Sequence, residues 1–298
     1  SPGGTGGLRV GADLVRKFKP NAKLWVSSPT WANHKGIFTA AGFEINDYPY
    51  YNSQTKKVNF EEMISALDCI PEGDVVLLHV CCHNPTGADL NQEQWDSIVE
   101  SAKINKWIPF LDFAYQGFGD GLEEDAEPTR LVVKSVPECI IAASCSKNFG
   151  IYRERTGVLL LTVQEQSIKG ISQGNLAYLN RQNFSFPPDH GARLVTMILK
   201  DARLKSDWQN ELEEVRISML SLRRQLADAL TKASDSDRFR FLADHRGMFS
   251  RLGTTSDKVD MLREKHGIYM VDDSRINIAG LNAKTIPILA NAIIECGI

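Results

Sequence analysis

The sequence predicts an α/β fold: a large domain on a mostly parallel sheet, then a smaller α+β domain. Three observations carry this. From Leu8 to Lys200, short apolar runs alternate with segments of helical periodicity, the pattern of strands joined by crossover helices. Leu212, Val215, Met219, Leu222, Leu226 and Leu230 then form one long stripe, read as a connecting helix packed on the core rather than a coiled coil. Several apolar runs also end on polar residues that can do chemistry, and open parallel sheets bind ligands beyond their carboxyl ends. The boundary is placed at the start of the long helix, dividing the chain into residues 1–210 and 211–298.

The elements follow in order. Ser1 to Gly7 is glycine-rich and feeds a helix marked by Leu8, Ala12, Val15 and Phe18; a helix opened this way offers free N–H groups to a phosphate. No strand precedes this run, so an amino-terminal portion is expected before it. Leu24–Val26 is a short strand ending near Trp31 and His34, with Trp31 either a core aromatic or a flat plate for a planar ring. Residues 37–42 read as helix and 44–50 as strand, and Asn59 with Glu62 resembles a capping box. Asp74–His79 is a buried strand running into His83-Asn84-Pro85-Thr86-Gly87, a forced turn that presents Asn84. Asn84 could equally bond its own backbone there.

After a helix through Trp95, Ile98, Val99 and Ala102, the strand Trp107–Leu111 ends at Asp112 and Tyr115. A carboxylate at a buried strand end either caps the next turn or meets a cation. The strand Cys139–Ala143 leads to Ser144-Cys145-Ser146-Lys147. Lys147 is either a solvated loop residue or, if desolvated, a nucleophilic amine that forms Schiff bases. Arg155 either clamps a phosphate or pairs with Glu154 at the surface. The strand at 156–161 and helices at 168–183 and 190–200 complete the large domain, with Arg181 near a helix end. Beyond the long helix, 239–252 reads as a hairpin, 256–266 as helix, 268–271 and 275–279 as strands, and 286–296 as the closing helix.

Composition bounds the rest. The 298 residues are 43% hydrophobic and 24% charged, with a net charge of −3, which suits a folded enzyme and gives no surface for nucleic acid or membrane. No apolar run reaches membrane-spanning length. The six cysteines are scattered or adjacent, without disulfide-framework or zinc spacing. Reduced thiols, a cytoplasmic setting and no metal are expected.

Together, Lys147, Asp112, the Gly4-Thr5 loop with Arg155, and Trp31 meet the needs of one cofactor, pyridoxal phosphate: an amine, an acid for the ring nitrogen, a phosphate anchor and a ring clamp. The sequence resembles the aspartate and aromatic aminotransferases, fold type I of the pyridoxal phosphate enzymes. The matching blocks are Gly3–Gly6, Ser28–Trp31 with His34, His83–Gly87, Asp112–Gly117, Ser144–Gly150, Glu154-Arg155, Gly247–Ser250 and Arg275–Asn277, in family order over essentially the whole chain. The resemblance implies that Lys147 bonds the cofactor and moves the substrate's α-proton. It implies that Asp112, backed by His34, pairs with the ring nitrogen, and that Asn84 and Tyr115 bind the phenolic oxygen. Trp31 should stack on the ring, and Gly4, Thr5, Ser144 and Arg155 should bind the phosphate. Arg275 should grip the substrate α-carboxylate. Arg181 should reach a neighbouring subunit's site and bind a distal carboxylate, so a homodimer with shared active sites is implied.

Ser274 stands where the family usually has glycine, and Phe186 and Arg153 where asparagine is common. The expected activity is ping-pong transamination from aspartate to 2-oxoglutarate. The alternatives are an aromatic-amino-acid aminotransferase, a truncated form that binds cofactor without turnover, or another reaction of the same cofactor such as β-decarboxylation.

Overall fold

A computed structural model describes residues 1–298. Its centre is a six-stranded sheet in the order β2-β1-β5-β6-β7-β8. The strands are β1 (Leu24–Ser28), β2 (Ile45–Pro49), β5 (Val75–His79), β6 (Ile108–Phe113), β7 (Cys139–Ser144) and β8 (Gly157–Thr162). All neighbours are parallel except β7 and β8. A two-residue hairpin, β3 (Tyr51–Asn52) with β4 (Lys57–Val58), projects from the end of β2.

Strand alternation explains why the central strands are buried on both sides. Val75, Leu77, Ile108, Phe110, Ile140 and Ala142 face one core, shared with α1 (Gly3–Phe18) and α2 (Ala32–Ala40). Val76, Leu78, Leu111, Phe113, Cys139 and Ile141 face the other. That side is covered by α3 (Phe60–Leu67), α4 (Gln92–Asn105) and α5 (Glu127–Ser135). The period of two then fixes the strand ends. His79, Asp112 and Ser144 continue the first set, so all three emerge on the α1–α2 side.

After β8 come α6 (Lys169–Phe184), α7 (His190–Lys200) and the 33-residue α8 (Ala202–Ser234). Asp201 caps α8, its Oδ1 accepting from Arg203 N at 2.9 Å and Leu204 N at 3.0 Å. The helix therefore starts ahead of the division placed at 210 and 211. Its Leu212 and Met219 join the large-domain core, while Leu226, Ala227 and Leu230 join a second core. We keep that division as a proposal about folding units; the backbone itself passes through it as unbroken helix. The second core is completed by α9 (Phe241–Asp244), the pair β9 (Phe249–Arg251) and β10 (Arg275–Asn277), α10 (Ser256–His266) and α11 (Thr285–Glu295).

Several local expectations are corrected. The glycine run is not a loop ahead of a helix, because α1 already begins at Gly3. Asn59 makes no side-chain cap; the reciprocal capping box is formed by Asn91 and Gln94 at the start of α4. Residues 239–252 are not a hairpin: β9 finds its partner in β10, antiparallel, with Arg275 opposite Arg251. Residues 268–271 form no strand, since the β9–β10 ladder is three residues long and no third strand adds to it.

Candidate active site

The carboxyl ends of the strands enclose a cavity of about 380 Å³. Gly4, Thr5, Trp31, Asn84, Asp112, Tyr115, Ser144, Lys147, Arg155 and Arg275 all line it. Every site residue expected from the sequence is thus brought together except Arg181. That residue lies exposed in the last turn of α6, its guanidinium 5.7 Å from the Phe186 ring. Sequence reasoning missed further lining residues, among them His79, Ser146, Tyr152 and Phe249. Strand parity would have found His79, and the Ser-x-Ser-Lys spacing pointed to Ser146 beside Ser144.

The open alternatives resolve side chain by side chain. Asp112 caps no turn: its Oδ2 meets Nε2 of the fully buried His34 at 2.9 Å. His34 Nδ1 lies 2.8 Å from Thr30 Oγ1, which is 3.1 Å from His79 Nε2. The row ends with His34 donating to the carboxylate, and the Thr30 hydroxyl bridges the two rings behind it. Burial pushes His79 down to about 3, so its ring is neutral at pH 7. Burial also works against the Asp112 charge, but the His34 hydrogen bond, with the nearby Lys147 ammonium adding to it, outweighs burial and holds the carboxyl below its ordinary value. Asp112 is a stable anion.

Asn84 does not bond its own turn. Its Oδ1 accepts from Arg275 Nη1 at 3.1 Å, and its Nδ2 approaches Tyr115 Oη at 3.5 Å. Arg155 does not pair with Glu154, whose carboxylate instead meets His190 at 2.8 Å. Arg155 turns inward and donates to the carbonyls of Tyr152 at 2.9 Å and Pro2 at 3.3 Å. Trp31 is partly exposed at the cavity wall, with its ring edge-on to His34 at 5.1 Å. The Lys147 ammonium lies 4.2 Å from the Tyr115 ring centroid. Burial lowers its pKa, Asp112 opposes this and Arg155 adds to it. The neutral, nucleophilic amine is thereby made accessible.

These groups fit a phosphate-bearing pyridine ring. The first turn of α1 lies at the cavity wall, with Gly4 and Thr5 beside Ser144, and the leading N–H groups of a helix lack intrahelical partners, an arrangement that binds phosphate. Gly3 has a φ of 72°, and a Cβ there would lie 2.6 Å from Arg155 Nη2. Only a bare backbone lets the guanidinium sit over the helix end. Arg155, Lys147 and Arg275 together face one carboxylate, Asp112, which His34 already engages. The cavity carries an excess of positive charge that a phosphate and a substrate carboxylate would neutralise.

Two departures from the family pattern have structural consequences. Ser274 is fully buried with a φ of 62°, and its Oγ accepts from Gly253 N at 2.9 Å and Thr254 N at 3.3 Å. The hydroxyl thus replaces glycine's freedom with two backbone bonds. Phe186 is 75% exposed beside Arg181.

Comparison with known proteins agrees with this geometry. Residues 1–293 match the family model for aminotransferase class I and II. The chain is 54% identical over 296 residues to the aromatic-amino-acid aminotransferase of Paracoccus denitrificans, covering 99% of this chain and 75% of that protein. It is 40% identical over 294 residues to the aspartate aminotransferase of Escherichia coli K12, covering 99% and 74%. A solved aromatic-amino-acid aminotransferase from Burkholderia pseudomallei, covalently bound to pyridoxal phosphate, superposes with a TM-score of 0.97 at 42% identity, covering 99% of this chain and 74% of that one. On sequence, fold and the cavity's own groups, the chain belongs to the class I and II aminotransferases, with the fold of the aspartate and aromatic enzymes.

Proposed function

We propose that this chain carries out pyridoxal-phosphate-dependent transamination of aspartate and aromatic amino acids with 2-oxoglutarate as acceptor. The single observation that carries the reading is the convergence of Lys147, Arg155 and Arg275 on one cavity with a histidine-backed Asp112. Relatives named for aromatic amino acids and for aspartate both match over nearly the whole chain, so both substrate classes are included.

When bound, the cofactor supplies an electron sink for the pair left at the substrate α-carbon. The chain's residues do the rest. Asp112, fixed by His34, holds a proton on the ring nitrogen. Thr5, Ser144, Arg155 and the amide groups around Gly4 hold the phosphate, with Ser146 beside them. Trp31 covers the ring, and Asn84 and Tyr115 bind its phenolic oxygen. Arg275 binds the α-carboxylate bidentately, and its Nη1 contact to Asn84 couples the two. Lys147 Nζ would take the α-proton from the amino acid and pass it to the cofactor within the same half-reaction, and would move a proton the other way when the 2-oxo acid is converted.

We also propose a homodimer in which Arg181 of each copy serves the other copy's cavity. Arg181 is exposed and remote from its own site, which supports this. No helix is long and apolar enough to cross a membrane. We also propose a reducing, cytoplasmic setting, on the six free thiols.

The test is a half-reaction. Cofactor-loaded protein is mixed with aspartate and separately with phenylalanine, and the cofactor's absorbance change is followed. Conversion with either amino acid is expected. A protein that loads no cofactor would overturn the reading.

A further inference from the structure

Arg223 lies in the middle of α8, where the two cores meet, and has no accessible surface. Its guanidinium makes six hydrogen bonds. Nε donates to Gly247 O at 3.2 Å. Nη1 donates to Leu242 O at 3.1 Å and Ser250 Oγ at 2.7 Å. Nη2 donates to the carbonyls of Arg246 at 3.0 Å, Gly247 at 2.7 Å and Phe249 at 2.8 Å. None of these acceptors is a carboxylate. A buried cation held by neutral dipoles alone is costly, and an apolar side chain would fill the same space more cheaply. What the guanidinium provides is direction: its flat fork turns the carbonyls of Leu242, Arg246, Gly247 and Phe249 inward around one point.

The outer side of that arc holds two substrate-binding groups. Arg246 N donates to Gly87 O at 2.8 Å, tying the arc to the turn that presents Asn84. The contact is close: a Cβ on Gly87, whose φ is 74°, would lie 3.1 Å from Ser250 Oγ and 3.2 Å from Arg246 O. On the other flank, Met248 O accepts from Ile278 N at 2.8 Å, and β9 pairs along β10, which carries Arg275. The Phe249 ring lies 4.7 Å from the Arg275 guanidinium. Asn84 comes from the large domain and Arg275 from the small one. They meet at 3.1 Å, and the arc touches both the turn that presents Asn84 and the strand that carries Arg275.

We infer that Arg223 is a positioning residue for substrate binding: by orienting the arc 242–250 it fixes Arg275 against Asn84 across the junction of the two cores. The inference rests on the functional reading above, since it assigns the consequence to the α-carboxylate site.

The experiment uses the cofactor-loaded chain and the variants Arg223→Lys and Ser250→Ala. Lysine keeps the charge but offers a point donor that cannot orient four carbonyls. Ser250→Ala removes one acceptor and leaves the ion in place. For Arg223→Lys, KM should rise about tenfold or more for aspartate and phenylalanine alike, because both present the same α-carboxylate. Its kcat and cofactor loading should stay within about twofold of wild type. The dissociation constant of 3-phenylpropionate, which binds without reacting, should rise by the same factor as KM. Ser250→Ala should move both constants in the same direction by about threefold, and it carries the test alone if Arg223→Lys does not accumulate folded. A residue that only stabilises the fold would lower the melting temperature and leave KM and the 3-phenylpropionate constant unmoved, and that result overturns the inference. A wild-type chain that loads no cofactor overturns the functional reading and this inference with it. A wild type that turns over while both variants keep its KM overturns this inference alone.

Discussion

The strand ends and the α6–α7 segment are built on opposite terms. Every residue of β5 and β6 is buried, and so are all but one of β7. α6 buries no residue, and α7 buries only Gly191. Yet both helices carry large apolar side chains, with Ile171, Tyr178 and Met197 more than half exposed. The groups that would hold the cofactor project from the first region, and Arg181 from the second. On the proposed reading, the groups that hold the cofactor lie at the packed strand ends, where close packing keeps each one in place. Recognition of the substrate's far end is assigned to a helix pair whose apolar side the chain itself leaves unfilled.

If the strand-end region is self-contained, damage there should abolish chemistry whatever the substrate. Lys147→Ala is the largest expected effect. It removes both the covalent anchor and the proton carrier, and the proton transfer alone is worth about 10²–10⁴-fold. Half-reactions with aspartate and phenylalanine should both be lost, and activity with one but not the other would contradict a common site. Asp112→Asn comes next. It leaves the shape but removes the anion that His34 supports, so kcat should fall by about 10²–10³-fold for both substrates. Rapid-mixing measurements on each half-reaction would check this.

Arg275→Ala should act through binding. Two charge-assisted hydrogen bonds are lost, each worth about 1.5–3 kcal/mol, so kcat/KM should drop at least about 10²-fold, mostly in KM. A change confined to kcat would place the α-carboxylate elsewhere.

The same region makes a pH prediction. Asp89 accepts from Cys82 N at 2.6 Å and His83 N at 2.7 Å, bracing the turn before Asn84. Burial outweighs these bonds, with Asp125 and Asp120 adding to it, and raises Asp89 from 3.8 to about 6. A carboxyl whose folded pKa is raised stabilises the fold below about 4, and that contribution is lost as pH rises through about 6. The Asp89 contribution to stability should therefore fall by up to ~3 kcal/mol between those pH values, read in chemical unfolding as the difference between wild type and Asp89→Asn, while buried neutral His79 contributes in the opposite sense. A difference between the two proteins that does not change with pH would place the titration elsewhere.

How much of this was legible in the sequence differs between the two regions for a physical reason. Strands buried on both faces advertise themselves as apolar runs, so the chemistry at their ends could be placed by position: Lys147, Asp112, Asn84 and Ser144 all fell where expected. Strand parity, which was not used, would have added His79 to the Asp112 side. The β9–β10 pairing was not legible, because three-residue strands carry too little pattern and their partner lies 24 residues away in sequence, as Arg251 with Arg275 shows. The role of residues 242–249 was hidden too. They read as a hairpin, but the carbonyls of Leu242, Arg246, Gly247 and Phe249 converge on Arg223, an interaction that leaves no periodicity. Arg181 was singled out only through the family pattern, and nothing within one chain says what it faces.

That last gap is where the comparison can be sharpened. If Arg181 serves a second copy's cavity, Arg181→Ala should lower kcat/KM for aspartate by about tenfold, one charge-assisted contact, while phenylalanine changes by less than about twofold. Equal losses would make Arg181 a fold residue. Mixing decides which chain supplies it. Chains carrying Lys147→Ala and chains carrying Arg181→Ala are each defective with aspartate. In a mixed dimer, one cavity combines the intact Lys147 of one copy with the intact Arg181 of the other. Random association of equal amounts should then restore roughly a quarter of wild-type sites. No restoration, in a mixture shown to exchange subunits, would mean that Arg181 acts within its own chain, and α6 would have to move to bring it there.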